Sequence, residues 1–319
     1  VSIDERRLRY FVAVAQAGSL SGAARELRIA QPALSRHVRL LEQSLGRPLL
    51  IRSADGISLT SEGERLFRSA RKVILDFDKL IDEFGGKTRE VERISFGVPP
   101  AISAVFSEVF LKAAAKRAPK LHIHLVESLS KFLRSSIEGG ELDFAMSYDE
   151  VANPNYRLVP LLDEALCVIG APSAALPNTE TIEFSELDRL VLVMKGRTHA
   201  VRHLLEETAA SRGMLLKIGW EADSLPVVKS LISDGTSHVV STRSAYVSEL
   251  ASGKLRAVEL INPSLGRRVS LAIGNTINGT ARQQAVTRLA FDVSKQLVDD
   301  GRWDGRLMFR ESQIASREA

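Results

Sequence analysis

The chain has 319 residues, 45% hydrophobic and 26% charged, with a formal net charge of +4; that balance excludes a disordered or fibrous chain. No apolar run nears the roughly 20 residues of a membrane span, and the charged opening "VSIDERRLRY" has no apolar export core after it, so a cytoplasmic protein without a membrane partner is expected. The single cysteine, Cys167, excludes an internal disulfide framework and a multi-cysteine zinc site.

Charge is unevenly placed. Residues 1–75 hold 13 Lys and Arg against 7 Asp and Glu, whereas the remainder holds 30 against 32. A basic head on a near-neutral body predicts a polyanion partner for the head. In "LRYFVAVAQAGSL", Leu8, Phe11, Val12 and Ala15 fall at helical spacing, Gly18 stops the helix and Ser19 can cap the next. "SGAARELR" is a short helix with Ala23, Ala24 and Leu27 on one face, followed by a turn at Arg28-Ile29-Ala30. Pro32 then stands in the first turn of a third helix, where its missing N–H costs nothing. Leu34, Val38, Leu41 and Leu45 form its buried stripe, and Pro32, Ser35, Arg36, Arg39 and Gln43 its polar face.

Two short helices, a tight turn and a helix with a basic outer face describe a helix-turn-helix, whose second helix fits the major groove of double-stranded DNA. Gln31 can pair bidentately with adenine and Arg36 with guanine, and Ser35 can reach a phosphate or a base. The bland alternative is a solvated amphipathic helix. After Gly46, Leu49–Arg52 and Ile57–Thr60 read as two short strands about an Asp55-Gly56 turn, a wing on which Arg52 can reach the minor groove or a phosphate. Ser61 and Glu64 are expected to form a capping box for the next helix.

The set Ala23-Ala24, Leu27, Gln31-Pro32-Ala33-Leu34-Ser35, Leu41-Glu42, Leu45-Gly46, Leu59-Thr60 and Gly63 resembles the winged helix-turn-helix of LysR-type transcriptional regulators. The resemblance implies DNA contacts at Gln31, Pro32, Ser35, Arg36 and Arg52; with Ala33 and Arg39 these complete the candidate DNA-binding set. Many members carry Arg or Lys at the wing tip. Asp55-Gly56 departs from that and leaves Arg52 to carry the wing.

Leu66, Ala70, Val73, Phe77, Leu80 and Phe84 step by four and three, a heptad seam with charged flanks. A partner helix, and so a two-fold dimer, is expected; a helix packed on its own domain is the alternative. Gly85-Gly86-Lys87 reads as a hinge. The resemblance implies a homodimer or a homotetramer of paired dimers.

The body alternates short apolar strands with amphipathic helices, an α/β pattern. Two lobes are expected, with strands near Leu158–Leu162 and Arg268–Ile273 crossing between them, and a final helix from about Thr280 to Val298. Helices open at Pro100-Ala101-Ile102-Ser103, at Ser128-Leu129-Ser130 and after Gly196-Arg197-Thr198-His199, where free N–H groups favour an anion; ordinary caps are the alternative. The body resembles the LysR effector-binding domain, which has the periplasmic-binding-protein architecture. That resemblance implies a cleft for a small-molecule effector, and an organic anion is expected there. Its candidate contacts are Pro100, Ala101, Ile102 and Ser103, then Ser128 and Ser130, Met146 and Tyr148, and Thr198, His199, Arg202 and Ser237. "DGTSHVV" stands where the family usually shows a GxG loop, which puts Ser237 and His238 in question. "VPPAIS", "IEGGELDFAMSYD" and "GRWDGRL" resemble the nitrogen-assimilation-control branch.

Neither the His122/His124 pair nor the His199/His203 pair has a carboxylate or cysteine at ligand spacing, so no metal site is expected. Asp143, Asp149 and Glu150 cluster without a nucleophile, and no nucleotide loop or nucleophile elbow occurs, so neither catalytic residues nor a cofactor are expected. Cys167 reads as a buried small hydrophobe. The predicted organisation is α+β and multidomain: a winged helix-turn-helix over 1–62, a dimerising linker helix over 63–88, a two-lobed effector-binding domain over 91–303 and a polar tail over 304–319. The function predicted is a DNA-binding transcriptional regulator that is not an enzyme; the competing class is a solute-binding protein or enzyme of the same body fold.

Overall fold

The computed structural model describes residues 3–53, 56–84, 92–148, 153–174, 176–277 and 280–308. The chain divides into two compact units, one formed by Val1–Glu90 with Glu138–Glu141 and the other by Val91–Ile137 with Leu142–Ala319.

In the first unit, α1 (Glu5–Ala17) is capped by Asp4, whose carboxylate accepts the Arg7 N–H at 2.8 Å, and ends at Gly18 with φ 60°. Ser19 Oγ accepts the Gly22 N–H at 3.0 Å and opens α2 (Leu20–Glu26). Arg28, at φ 53°, turns the chain into α3 (Gln31–Leu45). Leu34, Val38 and Leu41 of α3 are fully buried against Phe11, Val14, Ala23 and Leu49. The wing is a hairpin of β1 (Leu50–Ser53) and β2 (Gly56–Leu59), with Leu50 opposite Leu59. Glu42 Oε1 accepts the N–H groups of Leu49 and Leu50 at 2.8 and 3.2 Å, which ties α3 to the wing. Asp55 of the expected wing turn lies outside the described residues.

The helix α4 (Ser61–Phe84) follows. Its cap is Thr60, not the expected Ser61–Glu64 box: Thr60 Oγ1 accepts the Gly63 N–H and donates to the Pro48 carbonyl, both at 2.9 Å. Ser61 instead donates to Glu62, at 2.8 Å. Gly63 is required, because a Cβ there would sit 2.0 Å from the Leu49 carbonyl oxygen. The seam divides. Ala70 is buried and Leu66 half-buried against the unit's own core, whereas Val73, Phe77 and Leu80 are exposed together with Ile81. The Phe84 side chain and the Gly85-Gly86-Lys87 hinge lie outside the described residues.

The second unit runs β3 (Glu92–Val98), α5 (Pro100–Arg117), β4 (Leu121–Glu127), α6 (Ser130–Glu138), β5 (Phe144–Ser147), β6 (Tyr156–Ala165), β7 (Cys167–Gly170), β8 (Thr181–Glu183), β9 (Val191–Met194) and α7 (Ala200–Ser211). It continues with β10 (Lys217–Glu221), α8 (Leu225–Ile232), β11 (Val239–Ser241), α9 (Val247–Ala251), β12 (Arg256–Ile261), β13 (Gly266–Gly274), α10 (Ala281–Asp299) and β14 (Arg306–Leu307). One lobe holds the sheet β14-β6-β13-β5-β3-β4. The other holds β11-β7-β12-β8 and the parallel pair β10-β9, joined where His238 exchanges backbone hydrogen bonds with Val191 and Val193. The long antiparallel strands β6 and β13 lead to and from the second lobe, so both expected crossovers are real. Phe96, Phe106, Phe110, Phe144 and Trp303 centre the first lobe's core, and Leu166, Val168, Leu205, Val258 and Leu260 the second's.

The polar tail expected from 304 does not begin there. Trp303 is fully buried and β14 pairs with Asp163 and Leu162 of β6, because an edge strand with free backbone groups gains from one more partner. Residues 309–319 lie outside the described residues. No helix among the described residues is long and apolar enough to cross a membrane.

Candidate functional site

In the first unit α3 lies at the surface. Its apolar stripe faces inward, so Gln31, Pro32, Ala33, Arg36 and Arg39 are exposed and Ser35 is half-exposed. Gln31 Oε1 accepts from Ser21 Oγ at 3.3 Å, which orients the amide at the helix start. Arg52 is exposed on β1. Arg36, Arg39 and Arg52 make no ion pair among the described residues, unlike Arg7, Arg9 and Arg47 of the same unit, which are paired with carboxylates. A helix that needed its arginines for stability would have engaged them. These three are left with their full donor sets for a partner.

The second unit contains a cavity of about 220 Å³ between its lobes. The N-terminus of α5 forms one wall: Pro99 and Pro100 fix the entry, and the N–H groups of Ala101 and Ile102 precede the first intrahelical bond, from Ser103 N to Pro99 O. The first turns of α6 and α7 also open at the cavity, through Ser130 and through Thr198 and His199. Val193, Met194, Leu225 and Tyr246 supply apolar walls.

Of the expected effector contacts, Pro100, Ala101, Ser130, Tyr148, Thr198, His199 and Arg202 line this cavity. Five do not. Ile102 and Met146 are fully buried in the first lobe's core, because Ile102 lies on the inward stripe of α5 and β5 is buried along its whole length. Ser103 accepts from Ser107 Oγ at 3.0 Å along its own helix. Ser128 is tied by its N–H to the Val98 carbonyl at 3.2 Å, and Ser237 is 1% exposed beside Thr236. Arg202, also expected to meet ligand, spends its guanidinium on the fold: it donates to the Lys195 carbonyl at 2.9 Å and pairs with Glu206 and Glu221 at 2.7 and 2.9 Å.

Sequence reading missed four cations of the cavity, Lys131, Arg134, Lys195 and Arg267; among the described residues Asp223 is the one carboxylate that lines it. Lys195 had a signal, since it directly follows an apolar strand, where ligands of α/β sheets collect. Asp223 Oδ1 accepts the Gly196 N–H at 2.9 Å, which shapes the loop that carries Lys195. Burial, with the charge of Arg267 added, holds the Lys195 ammonium below its ordinary range. The same causes and Lys195 itself push His199 down to about 4, so its imidazole is neutral near pH 7. Its Nδ1 accepts the Val201 N–H at 3.3 Å, which leaves the proton on Nε2 as a donor.

Arg267 lies across from Glu164 in the β6–β13 ladder. Its guanidinium stacks over the Tyr148 ring, 3.5 Å from the centroid. Tyr148 Oη donates to Glu164 Oε2 at 3.0 Å, and Trp303 Nε1 donates to Glu164 Oε1 at 2.8 Å. Glu164 is 2% exposed. Burial holds its carboxyl above the usual carboxylate range, against donors from Ser244, Trp303 and Tyr148 and the nearby Arg267 charge. Cys167 is buried and its thiol is pushed up to about 11 by that burial, as befits a packing residue.

Residues 6–64 match the family described as "Bacterial regulatory helix-turn-helix protein, lysR family", and residues 87–290 match the "LysR substrate binding domain". The regulator BbuR of Bordetella bronchiseptica is 31% identical over 307 residues, covering 95% of this chain and 94% of that protein. The nitrogen assimilation regulatory protein nac of Klebsiella aerogenes is 28% identical, covering 88% and 91%. Among solved structures, a full-length OxyR variant from Pseudomonas aeruginosa is similar at TM-score 0.70 and 22% identity, covering 92% of this chain and 95% of that one. Full-length CbnR complexed with its target DNA is similar at TM-score 0.52 and 18% identity, covering 92% and 100%. At these identities the two structures speak for the fold.

Proposed function

This chain belongs to the LysR family of DNA-binding transcriptional regulators with an effector-binding domain, and from that premise we propose how it reads DNA and what it senses. Gln31, Ser35 and Arg36 read base edges in the major groove, while Pro32, Ala33, Arg39 and Arg52 set the register on the backbone. The effector is a small organic anion held between the lobes. One observation carries that reading: among the described residues, Lys131, Arg134, Lys195, Arg202 and Arg267 meet one carboxylate, Asp223, in a cavity with apolar walls onto which helix N-termini open. The exposed stripe Val73, Phe77 and Leu80 on α4 seats the same stripe of a second copy, and the dimer presents two α3 helices to a two-fold site. The protein works in the cytoplasm, and no catalytic role is assigned to it.

A footprint on the DNA upstream of this protein's own gene, with and without a panel of small organic acids, tests the reading. Wild type should protect a pseudo-palindromic stretch, Arg36→Ala should lose it, and one class of acid should shorten or move it. Protection that survives Arg36→Ala unchanged would remove α3 from the readout.

A further inference from the structure

We propose that Arg267 is the anchor for the effector's negative charge, Tyr148 its platform, and the buried Glu164 a carboxyl that takes up a proton when the anion binds. The inference rests on the anionic-effector reading above and goes further, to a residue and a linkage. The chain of contacts is continuous. Arg267 lines the cavity and stacks on Tyr148, the Tyr148 hydroxyl donates to Glu164, and Glu164 faces Arg267 across the strand pair.

Among the described residues, four groups act on Glu164. Tyr148 follows β5, Arg267 stands on β13, Ser244 lies in the turn before α9, and Trp303 follows α10. Arg267 is the one positive charge among them, and its field favours the carboxylate. An anion on the guanidinium cancels much of that field. A carboxylate with 2% exposure cannot replace it with solvent, so the balance moves toward the neutral acid. No bond is made or broken beyond the transfer of one proton from solvent to Glu164. By linkage, the anion then binds more tightly as pH falls, by at most about tenfold per pH unit for one proton. His199 and Lys195 also line the cavity and can take up protons beside an anion, so Glu164 must be separated from them by substitution.

Sulfate is the probe of choice, because it is fully ionised from pH 5 to 8 and adds no titration of its own. Its binding to the full-length protein is measured by calorimetry across that range, in two buffers of different ionisation enthalpy. Wild type should bind with net proton uptake and a negative pH slope. Arg267→Ala should bind at least about tenfold more weakly. Glu164→Gln, which fixes the neutral state, should bind at every pH about as tightly as wild type does at the acid end, with less proton uptake. Tyr148→Phe keeps the ring under Arg267 but removes one donor to the carboxylate, so the pH window should move upward. This second variant tests the link if Glu164→Gln does not fold. Unchanged affinity in Arg267→Ala, or the wild-type slope retained in both Glu164→Gln and Tyr148→Phe, overturns the inference alone. No sulfate binding by wild type at any pH overturns the anionic-effector reading together with it.

Discussion

The two units place their working side chains in opposite ways. In the first, one helix carries most of the candidate DNA contacts within nine residues, and its outward arginines do nothing for the fold. In the second, the cavity is assembled from the ends of β9, β11 and β13 and the starts of three helices, and its side chains also hold the lobes together. Arg202 locks the Lys195 loop, and Glu164 ties Tyr148 to Trp303. A surface built on one helix can change its reading without touching stability. A cleft built from many elements cannot, because its ligand contacts are part of the packing.

That difference has measurable consequences. Trp303→Ala should have the largest effect, about 3–5 kcal/mol of lost stability, the range for truncating a fully buried aromatic. It also strands a Glu164 oxygen without its donor. Hydrogen exchange should quicken in β6, β14 and α5 and stay unchanged in α1 to α3. Faster exchange in both units would show that they unfold as one and would break the comparison. Arg52→Ala should act the other way round. Resistance to unfolding should hold within about 0.5 kcal/mol, as for an exposed and unpaired side chain, while the salt slope of DNA binding should fall by about one counterion. A fall in melting temperature with no change in that slope would make Arg52 structural.

Legibility in the sequence follows the same division. The helix-turn-helix was readable because its signals are local: Gly18 and Ser19 at a boundary, Pro32 at a helix start, and leucines at helical spacing. The cap of α4 was misplaced by one residue because Thr60 and Ser61 are adjacent hydroxyls, and only the Pro48 carbonyl beside Thr60 decides between them. In the body, the alternation of strands and helices and the two crossovers were readable. Arg267 was not, since its partner Glu164 lies about a hundred residues away and their meeting depends on the β6–β13 register. Ile102 and Met146, expected at the effector, lie in the first lobe's core. A motif names a segment, whereas burial on α5 and β5 decides which of its side chains turn inward.

The smallest effect we predict tests whether acid sensitivity belongs to the second unit. His238 is 3% exposed, and neither ring nitrogen has a hydrogen-bond partner among the described residues. Gly170 lies close to its ring; no charged group contributes to its titration, and only the Val191 backbone opposes the burial. Burial therefore holds its pKa below the ordinary imidazole value. For a histidine whose folded pKa is depressed, the unfolded chain takes the proton first. Stability from this residue is complete above about pH 6.5 and is lost as pH falls from there toward the folded value. His199, at about 4 in the fold, contributes in the same direction. His238→Leu should leave unfolding at pH 8 as resistant as wild type or more so, since a buried polar ring without partners is replaced by an apolar one. Between pH 6.5 and 5 the variant should lose less stability than wild type, and less again when His199 is also replaced. If denaturant titrations give identical slopes for wild type and His238→Leu, His238 has an acceptor or a path to water in solution, and the acid sensitivity of the lobes rests on the cavity alone.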